Sequence, residues 1–430
     1  MRRKILIGTI LLTMVCCQGA SYAETGEIDA LRNEIKALKS DLADLKGQIR
    51  LIGNKNASSV PAYVAPVEGA KDRGVLGIAK DIDMGGYVDV QWNQNFNDGF
   101  KKNSTNDLRF YDNNKDTFAV NQALLWFEKA VKDPGQAGFR LELMMGQDAR
   151  TQGADGANAD AFDLAQAYAE YKAGLGFWSD NDYLPHEIDI KAGRMSTLAG
   201  AEVPYAPQNN EVSRGILAGY AVPTFHTGFR TNFKVWRNFF DVYFGVNNGW
   251  DQAIDMNTNK TLEWGLGYEP VKNLKFLHSI YLGQEALGAG SNDLSGNRFL
   301  NSNVATWTPN DKLSLAGEFD VGTTRGIIKY DGQDSTDSNW FGLGAHAKYQ
   351  LTKKFAPFYR VEWMGNQGKT QFNGLTDDVL ENTFGAEYKL TEDLITRAEY
   401  RMDKSVGNKA YDGKFSQEQT LEGQVIYLIG

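Results

Sequence analysis

The sequence predicts a transmembrane antiparallel β-barrel of about sixteen strands, preceded by a short N-terminal coiled-coil helix. Three observations carry this all-β reading. From Gly85 onward, apolar residues recur at every second position. Short and long connections between these runs alternate along the chain. The one apolar run near the start, Ile5 to Val15, falls short of the roughly 20 residues a membrane helix needs.

That first run follows Arg2, Arg3 and Lys4 and leads to Ser21-Tyr22-Ala23, with small residues at both cleavage positions. Residues 1–23 therefore read as a secretory signal peptide. Cys16 and Cys17 raise a lipoprotein signal as the rival, but Val15 stands where a small residue is expected. Both cysteines lie in the leader, so the mature chain has no disulfide and depends on its sheet or its solvent. With the three basic leader residues removed, acids outnumber Lys and Arg by twelve, which argues against nucleic acid as a partner.

Residues 24–52 carry a heptad without a slip. Ile28, Ile35, Leu42 and Ile49 occupy a, and Leu31, Leu38, Leu45 and Ile52 occupy d. In a parallel coil, Glu27 would face Arg32, Glu34 would face Lys39 and Asp41 would face Lys46, every pair opposite in sign. A periplasmic homo-oligomerisation coil is the expectation, with a lone solvated helix as the alternative. Residues 53–84 form a linker rich in Ala, Ser, Pro and Gly, where Pro61 and Pro66 discourage regular structure.

The barrel is expected over 85–430. Its clearest strands alternate strictly: Phe139, Leu141, Leu143 and Met145 with Arg140 and Glu142; Phe240, Val242, Phe244 and Val246 with Asp241, Tyr243 and Gly245; Leu262, Trp264, Leu266 and Tyr268 with Glu263, Gly265, Gly267 and Glu269; Tyr359, Val361 and Trp363 with Arg360 and Glu362. A soluble sandwich would alternate in the same way. The connections discriminate. Strands near 87–96, 118–129, 137–147, 162–173, 187–195, 225–236, 240–248, 261–269, 274–284, 299–308, 312–323, 340–350, 354–365, 381–390, 394–403 and 418–429 are joined at one end by turns such as Arg237-Asn238 and Thr352-Lys353. At the other end lie long polar stretches, including 97–117, 196–224 and 404–417. This is the rhythm of outer-membrane barrels, broken once, at 174–186. Trp92, Trp126, Trp236, Trp250, Trp264, Trp307, Trp340 and Trp363 fall near the strand ends, where interfacial girdles place amphipathic rings.

Gly86-Tyr87-Val88-Asp89-Val90, Asn106-Asp107-Leu108-Arg109-Phe110, Val120-Asn121-Gln122-Ala123, Gly138-Phe139-Arg140-Leu141-Glu142 and Gln166-Ala167-Tyr168 resemble the OmpL-like β-barrel porin family. Lys191-Ala192-Gly193-Arg194, Ser213-Arg214 and His226-Thr227-Gly228-Phe229-Arg230 extend the likeness to about residue 235. The resemblance implies an outer-membrane porin passing small hydrophilic solutes or ions, with a coiled-coil start also seen in relatives of phosphate-selective porins. Porin barrels with such a coil are expected as trimers, whereas Ile at a with Leu at d leans towards dimers, and both stay open. Such barrels usually end in an aromatic residue; here the last strand runs Tyr427-Leu428-Ile429-Gly430.

The longest outer connection, 196–224, is the third, where related porins fold a loop inward. It holds Glu202, Glu211 and Arg214, with Arg194 and Arg230 on the adjoining strands, and these five are the candidate constriction residues. Loop carboxylates opposed to wall arginines would set a transverse field across the pore. Asp148, Asp155, Asp160 and Asp163 match no calcium loop and read as a hydrated outer loop. Gly365 to Thr370 has Trp363 where a phosphate-binding loop needs its first glycine. The four histidines (186, 226, 278 and 346) are scattered, so spacing reveals neither a zinc site nor a Ser-His-Asp set. No cofactor and no enzymatic activity are expected. The alternative function is a barrel sheath or scaffold for a partner such as an outer-membrane electron-transfer complex. Because the chain has no Cys-x-x-Cys-His, any haem would belong to another subunit.

Overall fold

The structure is a computed structural model. It describes residues 81–97, 105–152, 161–176, 181–255, 257–286, 295–328, 336–367, 371–372 and 375–429. The expected leader at 1–23, the coil at 24–52 and the linker to residue 80 lie outside the described residues.

Sixteen strands close into one antiparallel barrel, each bonded to its neighbours in sequence, with the last returning to the first. They are β1 (Asp83–Asn95), β2 (Thr117–Lys129), β3 (Ala137–Met145), β4 (Phe162–Gly174), β5 (Glu187–Ser196) and β6 (Phe225–Val235). Then come β7 (Phe240–Asn247), β8 (Thr261–Val271), β9 (Leu274–Ala286), β10 (Ser295–Asn310) and β11 (Leu313–Ile328). The circuit finishes with β12 (Thr336–Tyr349), β13 (Phe355–Gln367), β14 (Asp378–Lys389), β15 (Leu394–Val406) and β16 (Gln417–Ile429). Closure sets Gly86 opposite Ile429 and Asn95 opposite Thr420, so no edge strand is left unpaired. The barrel begins at Asp83, two residues before the expected boundary.

Exposure decides what the alternation means. On β13, Tyr359 and Trp363 are 43% and 40% exposed, while Arg360 and Glu362 between them are 0% and 1% exposed. Phe244, Leu262, Leu282, Leu343, Phe384 and Val425 likewise lie on the outer surface. A water-soluble sandwich would bury these apolar rows. An apolar exterior around a charged interior needs lipid outside.

Strands β10 to β12 reach further outward than alternation predicts. Asn297 pairs with Arg325, Arg298 with Thr324 and Thr323 with Asn339. Above the membrane no apolar face is required, so the backbone ladder continues through residues whose polarity hides the strand. At the opposite end, Trp236, Arg237 and Asn238 carry φ of 52°, 57° and 60°, and the Phe239 N–H closes this turn on the Trp236 carbonyl at 3.1 Å.

The tryptophan girdle is corrected at two positions. Trp236, Trp264, Trp307 and Trp363 are outward and exposed, but Trp340 is fully buried inside the barrel. It lies on the inward parity of β12 and meets Trp250 edge to face at 6.1 Å. Trp250 packs with it against the interior cluster of Ile216, Leu217 and Met364. Trp340 also crosses the backbone at Gly322, where an added Cβ would come within 1.9 Å of the indole.

Candidate functional site

Residues 197–224 run inside the barrel. The segment contains a 3₁₀ turn at Ala206–Gln208 and a short helix, Ile216–Tyr220. Neither makes enough backbone bonds of its own, so the barrel wall must answer the loop's N–H and C=O groups.

Wall acceptors meet its donors in sequence. Tyr281 Oη on β9 accepts the Leu198 N–H at 2.9 Å, and Ser302 Oγ on β10 accepts that of Gly200 at 3.1 Å. Glu318 on β11 takes the Ala201 N–H at 2.8 Å. Glu399 on β15 takes those of Val212 and Ser213 at 2.6 and 3.1 Å. Glu381 on β14 and Glu362 on β13 take those of Ile216 and Leu217 at 3.3 and 3.0 Å.

Wall donors meet its carbonyls. Arg397 donates to Ala206 O at 3.0 Å and Glu211 O at 3.3 Å. Arg360 donates to Ser213 O at 2.8 Å, Arg401 to Arg214 O at 2.6 Å, and Trp340 Nε1 to Ala221 O at 3.0 Å. Charge-assisted bonds of this kind are roughly twice as strong as neutral ones, which makes the loop part of the barrel core. Leu217 seats against Gly342 and Gly344 of β12, where a Cβ would reach within 2.6 and 3.1 Å of its methyl groups.

The five predicted residues divide. Glu202 pairs with Arg360 at 2.7 Å and accepts the Gly215 N–H at 2.6 Å. Glu211 lies 3.5 Å from His346 Nδ1 on β12. Arg214 turns back on its own loop, donating to the carbonyls of Val203, Val212 and Pro204 at 3.1, 3.2 and 3.0 Å. The pairing of loop carboxylates with Arg194 and Arg230 is not formed. Arg194 binds Asp163 on β4 at 2.8 Å and the Gln152 carbonyl at 3.2 Å. Arg230 pairs with Glu263 on β8 and donates to Ser196 O, at the root of the loop, at 2.9 Å. Each strand arginine finds a carboxylate on a nearby strand, Arg194 on the adjacent β4 and Arg230 two strands away on β8.

A second outer connection also enters. Arg109 is buried and bonds Asp112 at 2.6 Å, Asp403 on β15 at 2.9 Å and Glu422 on β16 at 3.2 Å. Asp148, in a short outer helix at Gln147–Gln152, accepts from Gln122 at 2.6 Å. Burial lifts its carboxyl to about 6, although Arg214 and Gln122 pull it down. Asp163 belongs to Arg194, so Asp148 and Asp163 serve side chains of the barrel; Asp155 and Asp160 lie outside the described residues. Gly365 to Gln367 finish β13.

Sequence reading missed Arg360, Arg397, Arg401, Glu381, Glu399 and His346 as loop partners. Their inward parity was the available signal; contact with a loop more than 130 residues away in the chain leaves none. Beneath the loop, a cavity of about 900 Å³ opens between Gly200-Ala201 and β6 to β10. Lys234, Arg237, Lys272 and Lys275 line it with Asp241 and Glu269.

A closed sixteen-stranded barrel, apolar outside, charged within and crossed by an inward loop, is the architecture of a porin of the bacterial outer membrane. The chain belongs to the family described as "Putative beta-barrel porin-2, OmpL-like", which matches residues 81–429. The outer membrane channel DcaP of Acinetobacter baumannii shares the fold, with a TM-score of 0.54, 12% identity, and 81% of this chain and 96% of that one covered. The trimer form of OmpT from Vibrio cholerae gives a TM-score of 0.52 at 12% identity, covering 81% and 98%. An anion-selective porin from Comamonas acidovorans gives 0.52 at 13%, covering 81% and 99%. No curated protein sequence matches the chain.

Proposed function

We propose that this porin passes small hydrophilic solutes or ions by passive diffusion, through the part of the lumen left open beside the inward loop. The observation that carries the reading is the loop's uneven anchorage. Its bonds run to β2, β3 and β9–β15, and the cavity of about 900 Å³ lies beside β6 to β10. The loop therefore narrows the lumen where it is bonded to the wall and leaves space beside β6 to β8, as a constriction does.

Within that reading, Glu202, Glu211 and Arg214 shape the constriction by holding the loop, and Arg230 holds its root. Arg194 steadies the outer rim beside it. Charges able to act on a passing ion line the cavity wall, where Lys234 is paired with Asp241 and Arg237, Lys272 and Lys275 remain against Glu269. This supports a weak anion preference at the periplasmic mouth. Export depends on the leader at 1–23, and the heptad at 24–52 joins copies of the chain into a homo-oligomer. The porin family and the barrel support a channel and not an enzyme.

Single-channel conductance in planar bilayers, with reversal potentials in a salt gradient, tests the proposal. Stable open steps support it. A folded barrel that stays silent overturns it and favours the sheath, in which a partner fills the lumen.

A further inference from the structure

We propose that Glu211 and Glu202 of the inward loop, with His346 on β12, bind one divalent transition-metal cation that fastens the loop to the barrel wall. The inference is independent of conduction, since it concerns the buried side of the loop and not the open lumen.

The donor set comes from three places in the chain that only the fold unites. One ligand atom each from Glu202, Glu211 and His346 lie within 4.8 Å of one another, and all three residues are buried. Bonds of about 2.0–2.2 Å to a shared cation would bring such atoms to roughly 3–3.5 Å, a closure of about 1 Å that side-chain rotation can supply. Glu211 Oε1 is already 3.5 Å from His346 Nδ1.

A second observation concerns the same imidazole and its carboxylates. Glu211 Oε1, His346 Nε2 and Glu362 Oε1 are buried without a hydrogen-bond partner. Orphaned polar atoms are rare in folded interiors and call for an occupant or a partner. Glu362 Oε1 lies 3.8 Å from His346 Nε2, on the ring edge away from Glu211. A histidine that ligates a metal through one nitrogen commonly gives its other N–H to a carboxylate, which fixes the tautomer. Glu362 stands where that carboxylate belongs.

Charge agrees. Arg360 holds Glu202 and Glu381 at 2.7 Å each and Arg401 reaches Glu381 at 3.7 Å, while Glu211 and Glu362 flank His346 at 3.5 and 3.8 Å. Four buried carboxylates outnumber two guanidiniums and one imidazole, and burial makes the excess negative charge costly. A divalent cation offsets it, and one imidazole with carboxylates suits Zn²⁺ and its neighbours better than Ca²⁺ or Mg²⁺.

The test uses the mature chain, purified in detergent without a polyhistidine tag and stripped with EDTA. Zn²⁺ is titrated calorimetrically, and Co²⁺ is added as a visible-absorption probe. The expected result is one Zn²⁺ per chain and a Co²⁺ ligand-field band that Zn²⁺ displaces. His346→Ala and Glu211→Gln should each abolish binding, Glu362→Gln should weaken it about tenfold, and His186→Ala should leave it unchanged. Absence of Zn²⁺ binding to the stripped wild type overturns the proposal, as does binding that survives in both His346→Ala and Glu211→Gln. If those variants fail to fold, the wild-type Co²⁺ spectrum decides: a spectrum unchanged from the aquo ion overturns the site. A silent barrel that still binds Zn²⁺ would sink the diffusion reading and leave this one standing.

Discussion

Arg360, on β13, reaches Glu202 of the inward loop at 2.7 Å while holding Glu381 of β14 at the same distance, with all three side chains buried. One guanidinium thus joins a wall strand, its neighbour and the loop. Removing one member of a buried ion pair typically costs about 3–5 kcal/mol, because the surviving charges lose their compensation. Arg360→Ala should therefore destabilise the barrel by about that amount in denaturant titrations and free the loop. In bilayers the freed loop would appear as noisier and larger conductance steps. A variant with wild-type stability and quiet steps would show that the pair does not hold the loop.

Gly322 is the second sensitive position. Because Trp340 lies across it, even Gly322→Ala must move the indole, and overpacking of this kind costs about 1–3 kcal/mol. The displaced indole loses its bond to Ala221 O. A red-shifted tryptophan emission and a lower unfolding temperature are expected. Gly317→Ala, at a site with open space around it, is the control.

Stability should fall as pH rises from about 4 to above 6, in part through Asp148. Its carboxyl is raised from 3.8 to about 6 by burial, so the folded state binds the proton more tightly than the unfolded state. The stabilisation is complete below the unfolded value and is lost as pH passes the folded one. A shift of this size corresponds to roughly 3 kcal/mol. Asp148→Asn should flatten the slope of unfolding free energy across that window. An unchanged slope would assign the dependence elsewhere.

Selectivity should follow the cavity wall. Lys272→Glu and Lys275→Glu place acids where cations now line the mouth, and should move the reversal potential towards cation preference. Arg214→Met should leave the potential in place, because that guanidinium is buried and spends its bonds on loop carbonyls. The opposite pattern would put Arg214 in the permeation path.

Much of the fold was legible because a membrane barrel writes its two faces into the chain. Tyr359, Val361 and Trp363 alternate with Arg360 and Glu362 whether or not the partner strand is known. A turn such as Arg237-Asn238 likewise declares itself locally through its left-handed backbone. Strand ends were less legible: Asn297 and Arg325 pair above the membrane, where polarity no longer distinguishes strand from loop.

The inward loop was legible only by position. Reading the third outer connection as an inward loop drew attention to Glu202, Glu211 and Arg214, but chain proximity suggested Arg194 and Arg230 as their partners. Both of those are satisfied by wall carboxylates, Asp163 one strand away and Glu263 two strands away. Trp340 sits near a strand end like the girdle tryptophans, yet parity turns it inward.

By itself the sequence determined the strands, their alternating faces and the two unlike ends of the barrel. These depend on periods of two and on turn chemistry, which operate over a few residues. Only the tertiary structure decided that Glu202 meets Arg360, that Glu211 meets His346, and that the charges named for the pore are largely buried in its wall. Closing the barrel brings β12 to β15 across from a loop 120 to 200 residues earlier, and no local pattern records which inward charge will lie opposite which backbone group.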